Sequence, residues 1–316
     1  MRSLTAVAVV VVLLSLALGQ PVVWFPATEL EHVLVWQLRA PRLLLGAVAG
    51  ACLGVAGLLL QTSLRNPLAV PELLGVAGGA AAAVGTCVAF GVTVVGAPLT
   101  PALVGALVGG GVTLLAVRGA TSPAAVLLIG AAVSSACQAV MLAATAATDS
   151  REQGVLVRYL LGSLTGTTWP TLGPVAVGLA LAVPAVVLVL PRVRLLRLGD
   201  EEAWSAGLRP GRARVAVLAV ASLLVAVVVG PAGPVAWVGF FAPRLAERLT
   251  AGSATAATGV AATAFLGALL VVAADLVART ALYPVELPVG GLTAFAAVAV
   301  GLLVRGRTRS GRVGAR

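Results

Sequence analysis

Long stretches without any charged side chain constrain the fold of this chain more than any other feature. One of them runs from Leu73 to Val117. Five more cover residues 119–148, 159–191, 215–243, 249–274 and 287–304. Each is long enough for one or two membrane-spanning helices of about 20 residues. Only 10% of the residues are charged, whereas a soluble domain usually carries about a quarter. The sequence therefore predicts an all-α integral membrane protein, with residues 1–316 forming a single transmembrane domain.

Charged and Pro/Gly-rich breaks divide the apolar sequence into about ten predicted transmembrane helices in one bundle. We place them at 4–20, 42–62, 72–92, 98–117, 123–147, 170–190, 213–230, 234–248, 254–276 and 288–304. The first also fits the apolar core of a signal peptide, but retaining it places both termini in the cytoplasm. Sixteen of the 21 arginines, including those of the basic tail 305–316, then face the cytoplasm. Because this distribution follows the positive-inside rule, the net charge of +10 reflects topology and no nucleic-acid partner is expected.

The sequence lacks the residues that most enzymes and ion-coupled transporters need. All 21 cationic side chains are arginine, so the chain has no lysine for the nucleotide phosphates of a P-loop. The single histidine, His32, lies in a predicted outer loop, and the three cysteines lie in apolar segments. We therefore expect no catalytic residue, no metal site and no cofactor. Acidic pairs in the middle of a span, which mark proton or sodium relays, are missing as well. Asp275 comes nearest, but Arg279 one helical turn later predicts a structural ion pair.

Two backbone patterns predict how the helices pack. The run Gly-Pro-Ala-Gly-Pro at 230–234 precedes only a short apolar segment, which indicates a short or broken helix at 234–248. Irregular backbone at membrane depth is tolerated only where protein or a water-filled cavity covers it, so we expect this segment in the bundle interior or at its cytoplasmic rim. Gly46, Gly50 and Gly54 recur every fourth residue. This spacing predicts close approach of another helix, with a pore-lining role as the alternative.

The most specific motif follows the second predicted span. Residues 65–80 read R-N-P-L-A-V-P-E-L-L-G-V-A-G-G-A. The residues alone predict a tight cytoplasmic turn between two helices, with Glu72 in the first turn of the second helix, where it complements the helix dipole. The string resembles the signature R-N-P-L-A-x-P-x-x-L-G-x-x-x-G-A of the FecCD family. The matching residues include Arg65, Asn66, Pro67, Pro71 and Gly75. Residues 65–75 are called the signature turn below.

Six further segments resemble the same family in the same order. They lie at residues 39–42, 161–169, 198–207, 233–244, 274–279 and 286–290. Two positions depart from the family pattern. Arg244 stands where the family usually has histidine, and Ala297-Val298-Ala299 replaces the usual Gly-x-Pro break. The second departure predicts a straighter last helix, and together they are compatible with the less typical half of a heterodimeric permease.

The resemblance implies the permease subunit of an ABC importer in the cell membrane, in contact with membrane lipid. The implied partners are a second permease subunit, in a homodimer or a heterodimer, two ATPase subunits and an extracytoplasmic binding protein. The expected cargo is a ferric siderophore, with haem and cobalamin as alternatives. A proton-coupled secondary transporter and a purely structural membrane scaffold are the competing classes of function.

The resemblance also implies two contact sites for partners. The cytoplasmic loop 192–214 is implied to be a coupling loop that docks on the ATPase, and a merely solvated loop is the alternative. Its site residues are Leu198, Gly199, Glu201, Glu202, Ala203 and Gly207. We expect Trp204 to pack this loop. At the outer face, Arg39, Arg42 and Arg279 are implied to receive acidic side chains of the binding protein. The alternative is that these arginines only anchor helix ends in the headgroup layer.

Overall fold

The computed structural model describes residues 2–19, 21–95, 99–119, 122–147, 156, 160–250 and 257–296. Its helices are α1 (Arg2–Ala17), α2 (Glu29–Val33), α3 (Ala40–Ser63), α4 (Val76–Ala89), α5 (Leu99–Ala116), α6 (Pro123–Ala146), α7 (Trp169–Leu198), α8 (Asp200–Ser205), α9 (Pro210–Ala232), α10 (Val238–Leu249), α11 (Ala257–Thr280) and α12 (289–296). A π-helical stretch, Leu34–Arg39, joins α2 to α3. The described residues contain no strand, which confirms the predicted all-α class.

Six of the described helical stretches are long and apolar enough to cross a membrane. They are Glu29–Ser63, α5, α6, α7, α9 and α11. Two apolar helices, Thr5–Ala17 and α4, are shorter. The chain is therefore a polytopic membrane protein, while the count of ten spans stays a prediction. Residues 297–304 of the last predicted span, which include the departure at 297–299, and the tail 305–316 lie outside the described residues.

The centre of the bundle is α3, which packs against α9, α10 and α11. Glycine permits these contacts, because a Cβ atom at Gly50 would overlap the carbonyl oxygen of Gly267, and one at Gly57 would overlap that of Gly239. At Gly54 a Cβ atom would lie 3.0 Å from the carbonyl oxygen of Thr263. The predicted close approach of another helix is confirmed, and the glycines of α3 serve helix packing.

The segment between α9 and α11 contains the predicted short helix. Helix α9 ends at Ala232, residues 233–237 are non-helical, and α10 begins after Trp237, whose φ of 69° lies in the left-handed region. With 12 residues, α10 is about 18 Å long, against about 30 Å for the hydrocarbon core. Because of this length, α10 is called the half-helix below. The buried face of α10 includes Gly239, Ala242 and Ala246. The prediction of a short helix covered by protein is confirmed.

The exposed surfaces of the long apolar helices are themselves apolar. On α7 the exposed side chains include Val177, Leu181, Val187 and Leu188, while Val186 and Val189 are buried. Because hydrocarbon provides no hydrogen-bond partners, exposed leucine and valine are favourable there, and the backbone polar groups are satisfied within the helix.

Candidate functional site

Two arginines of the predicted outer face bind the C-terminal end of α1. Arg39 donates to the carbonyl oxygens of Leu16 at 2.8 Å, Ala17 at 2.9 Å and Pro21 at 2.6 Å. Arg279 donates to the carbonyl oxygen of Ser15. The last carbonyls of a helix have no intrahelical donor and carry the negative end of the dipole, so cationic donors stabilise them. Both arginines therefore hold α1 against the rest of the bundle.

Arg42 binds two carboxylates that are distant in sequence. Its Nε atom lies 3.0 Å and 3.1 Å from the two carboxylate oxygens of Asp275, and a terminal nitrogen lies 2.9 Å from Glu286. Glu286 also accepts from the Thr165 hydroxyl at 2.6 Å. Burial alone would raise the pKa of Glu286, but the Thr165 hydroxyl and the positive charge of Arg42 outweigh it and lower the pKa. We call Arg39, Arg42, Asp275, Arg279 and Glu286 the outer cluster.

The three predicted docking residues meet in the outer cluster, but they face inwards. Arg39 is 8% exposed, and the side chains of Arg42 and Arg279 are 12% and 9% exposed. All three line an outer cavity of about 280 Å³. The ion pair between Arg279 and Asp275 exists at 3.8 Å, yet Arg42 is the closer partner of Asp275 at 2.9 Å. The arginines thus join α1, α3 and α11, and binding-protein docking stays a prediction.

The signature turn contacts the half-helix α10. Asn66 accepts from the amide of Leu68 at 2.9 Å, which closes the turn locally. The carbonyl oxygen of Pro67 accepts from Arg244 at 3.0 Å, and the guanidinium of Arg244 stacks on Phe240 at 3.7 Å from the ring centroid. Arg244, where the family usually has histidine, therefore connects α10 to the turn.

Both ends of the signature turn have left-handed backbone conformations. Arg65 has a φ of 46° and Gly75 a φ of 72°, both left-handed. A side chain at Gly75 would also meet the Thr113 hydroxyl and Val133 at 2.7 Å. Pro71 lies directly against Gly239, where a Cβ atom would come within 2.6 Å of the proline ring. The turn thus packs tightly against both α5 and α10.

The half-buried Glu72 caps α10, whereas the sequence predicts that it complements the dipole of the helix that follows it, α4. It belongs to a short 3-10 turn, Pro71–Leu74, before α4. Its Oε1 atom accepts a hydrogen bond from the backbone N–H of Trp237, at the start of α10, at 2.8 Å. Its carbonyl oxygen accepts from Ser134 at 2.9 Å, and Ser134 lies about 16 Å along α6 from the first residue of that helix. The predicted surface turn therefore reaches into the bundle.

Most of the predicted coupling loop is helical, and its acidic residues open a short helix that ends before Gly207, as the sequence predicts. Residues 192–198 continue α7, and the acidic residues 200–202 form the first turn of α8. Gly199 has a φ of 143° and Gly207 a φ of 81°, so the left-handed region on each side of α8 favours glycine. Ala203 is fully buried. Leu198 and Trp204 are both 65% exposed, so the expected packing role of Trp204 within this chain is wrong.

An ion-pair network attaches α8 to the signature turn. Asp200 accepts from the buried Arg214 of α9 and lies 3.5 Å from Arg65. Arg214 also donates to the carbonyl oxygen of Ser63 at 3.3 Å. The sequence analysis missed Arg214 as a site residue. A usable signal was its position in the first turns of an apolar helix, where a buried cation requires an acidic partner.

Comparisons with known proteins agree with the motifs. The sequence matches the model of the FecCD transport family over residues 4–304. It is 36% identical over 276 residues to the achromobactin transport system permease protein CbrC of Dickeya dadantii, covering 84% of this chain and 77% of that protein. It is 35% identical over 268 residues to the ferric enterobactin transport system permease protein FepG of Escherichia coli, covering 83% and 78%.

A solved structure has the same fold. It is described as an inward-facing conformation of a metal-chelate type ABC transporter. The TM-score is 0.83 at 28% sequence identity, and the match covers 96% of this chain and 98% of that chain.

Proposed function

Because the chain belongs to the FecCD transport family, we propose that it is the permease subunit of an ABC importer of the cell membrane that translocates a ferric siderophore. The family match over 4–304 carries the proposal. The cargo is inferred from relatives whose names specify achromobactin and ferric enterobactin. We further propose ten spans with both termini in the cytoplasm, a second permease subunit, two ATPase subunits and an extracytoplasmic binding protein as partners.

We propose that α8 is the element that docks on the ATPase. The exposed Leu198 and Trp204 support this, because tryptophan is enriched among the residues that dominate the binding energy of protein interfaces. The buried Ala203 and the Asp200–Arg214 ion pair fix α8 to the permease. A docking helix must be attached in this way, since a flexible loop would absorb the motion of the ATPase.

Docking of the binding protein at the outer cluster is also proposed, with a changed geometry. The cluster combines three arginines with two carboxylates, Asp275 and Glu286, which leaves one net positive charge. An acidic side chain would approach through the cavity next to Glu286, whose side chain is 39% exposed. Its contribution is expected mainly in the association rate and the register, because the guanidinium groups already bind atoms of this chain.

The test is uptake by the complete complex in proteoliposomes, with a panel of radiolabelled ferric siderophores and with haem and cobalamin as alternative cargoes. We expect uptake that requires ATP and the binding protein, and that a protonophore leaves unchanged. The purified chain alone should not hydrolyse ATP, because it contains no lysine for a P-loop. Uptake that continues without ATP and stops with the protonophore would instead support a proton-coupled transporter.

A further inference from the structure

We propose that Glu72 is a positioning residue of the permease, whose carboxylate caps the N-terminus of the half-helix α10 and holds it against the signature turn. The carboxylate accepts a hydrogen bond from the backbone N–H of Trp237 at 2.8 Å. Trp237 is the residue at which the backbone enters α10, through a left-handed φ of 69°. The consequence for transport rests on the proposed function, whereas the capping contact itself does not.

An acidic side chain is chemically suited to this position. The first N–H groups of a helix lack intrahelical acceptors and carry the positive end of its dipole, so a carboxylate stabilises them. Capping side chains normally come from the residue next to the helix. Here Glu72 comes from a turn that is 165 residues away in sequence. The cap is therefore a tertiary contact between two elements.

The same carboxylate is only partly satisfied. Its Oε2 atom is buried and has no hydrogen-bond partner within the described residues. None of the ion pairs formed by those residues includes Glu72. Ionisable side chains inside a membrane protein are unfavourable unless they are paired, and they usually mark function. A carboxylate held through one oxygen can release α10 at a lower cost than a saturated one, which suits an element that moves.

Contacts of the signature turn connect the half-helix to the proposed ATPase contact. Asp200 of α8 pairs with Arg65, the first residue of the signature turn. Further along the turn, Pro71 packs on Gly239 of α10. Gln61 of α3 also donates to the carbonyl oxygen of Gly239 at 2.9 Å. We expect a displacement of α8 to reach α10 through these packed groups. The Glu72 cap acts there together with the hydrogen bond from Arg244 to the carbonyl oxygen of Pro67, which also joins α10 to the turn.

Hydrogen exchange of the purified full-length chain in lipid nanodiscs tests the cap without requiring transport. We expect Glu72→Ala to accelerate amide exchange at residues 237–241 by about 5-fold, the usual effect of losing a capping side chain. Glu72→Gln keeps an acceptor oxygen and removes the charge, so its exchange should fall between those of the parent and Glu72→Ala. The matched control is Glu247→Gln, an exposed acid on the same helix. If Glu72→Ala does not fold, Glu72→Gln decides, and parent-like exchange in Glu72→Gln overturns the proposal.

The positioning role is tested by cargo transported per ATP hydrolysed in the reconstituted complex. We expect this ratio to fall several-fold in Glu72→Ala, with assembly intact, and to be partly restored in Glu72→Gln. A merely structural cap would lower the amount of assembled complex and leave the ratio unchanged, which would overturn the positioning role. If the parent complex shows no ATP-dependent uptake, the proposed function fails, while the exchange experiment still decides the cap.

Discussion

In the outer cluster, the largely buried Arg42 holds two acidic residues from the far end of the chain. Arg42 and Asp275 are 233 residues apart, and their side chains are only 12% and 7% exposed. Removing one partner of a buried pair leaves the other charge uncompensated, whereas removing both is far less damaging. The pair is therefore a sensitive point for the stability of the chain.

We predict that Arg42→Gln destabilises the chain by about 3 kcal/mol. The reason is that Asp275 keeps only the more distant Arg279 at 3.8 Å. The measurement is thermal unfolding of the purified chain in detergent. The double variant Arg42→Gln/Asp275→Asn should recover most of the loss. Arg212→Gln, at an exposed arginine of α9, serves as control. A single variant as stable as the parent would show that the pair does not hold the outer end together.

The sequence anticipated contacts that depend on regular spacing and missed those that join distant segments. Every-fourth glycines in α3 predict a bare helix face, and Gly50 indeed packs on Gly267. The i,i+4 spacing of Asp275 and Arg279 likewise predicts their pairing. Nothing local indicates that Arg42 binds Asp275, or that Glu72 caps α10 and not its own helix. Those contacts depend on which helices become neighbours, which the spacing of residues does not encode.

At the scale of helices, glycine at the α3–α11 contact is a packing requirement. A Cβ atom at Gly50 would overlap the carbonyl oxygen of Gly267, which is backbone and cannot rotate away. We predict that Gly50→Ala separates the two helices and costs about 1–3 kcal/mol of stability. The control is Gly111→Ala in α5, where a Cβ atom would meet nothing within 4 Å.

The two alanine substitutions should have opposite signs. In a helix interior, alanine is favoured over glycine by about 0.5–1 kcal/mol when space is available. Gly111→Ala is therefore expected to raise the thermal unfolding temperature, and Gly50→Ala to lower it. Equal effects at the two positions would mean that helix propensity, and not the close approach of α3 and α11, determines the result.

At the scale of the whole molecule, the proposed function requires this chain to bind an ATPase through α8. The structure suggests which residues to change. Gly199 and Ala203 are poor choices, because a left-handed backbone and full burial mean that bulky replacements would disrupt α8 itself. Trp204 is 65% exposed, so its replacement should leave the permease folded. An exposed tryptophan on a docking helix is a typical centre of binding energy.

We predict that Trp204→Ala weakens ATPase binding by at least about 2 kcal/mol, which is about 30-fold in Kd. The matched control is Trp24→Ala, because Trp24 is 60% exposed and lies in the segment after α1, away from α8 in sequence. Binding of the purified ATPase subunit to the full-length chain in nanodiscs is the measurement. Thermal unfolding of the chain alone should be unchanged in both variants. Equal affinity of Trp204→Ala and Trp24→Ala for the ATPase would exclude Trp204 as an anchor of this interface. Weaker binding by Trp204→Ala alone, at unchanged stability, would locate the ATPase contact on α8.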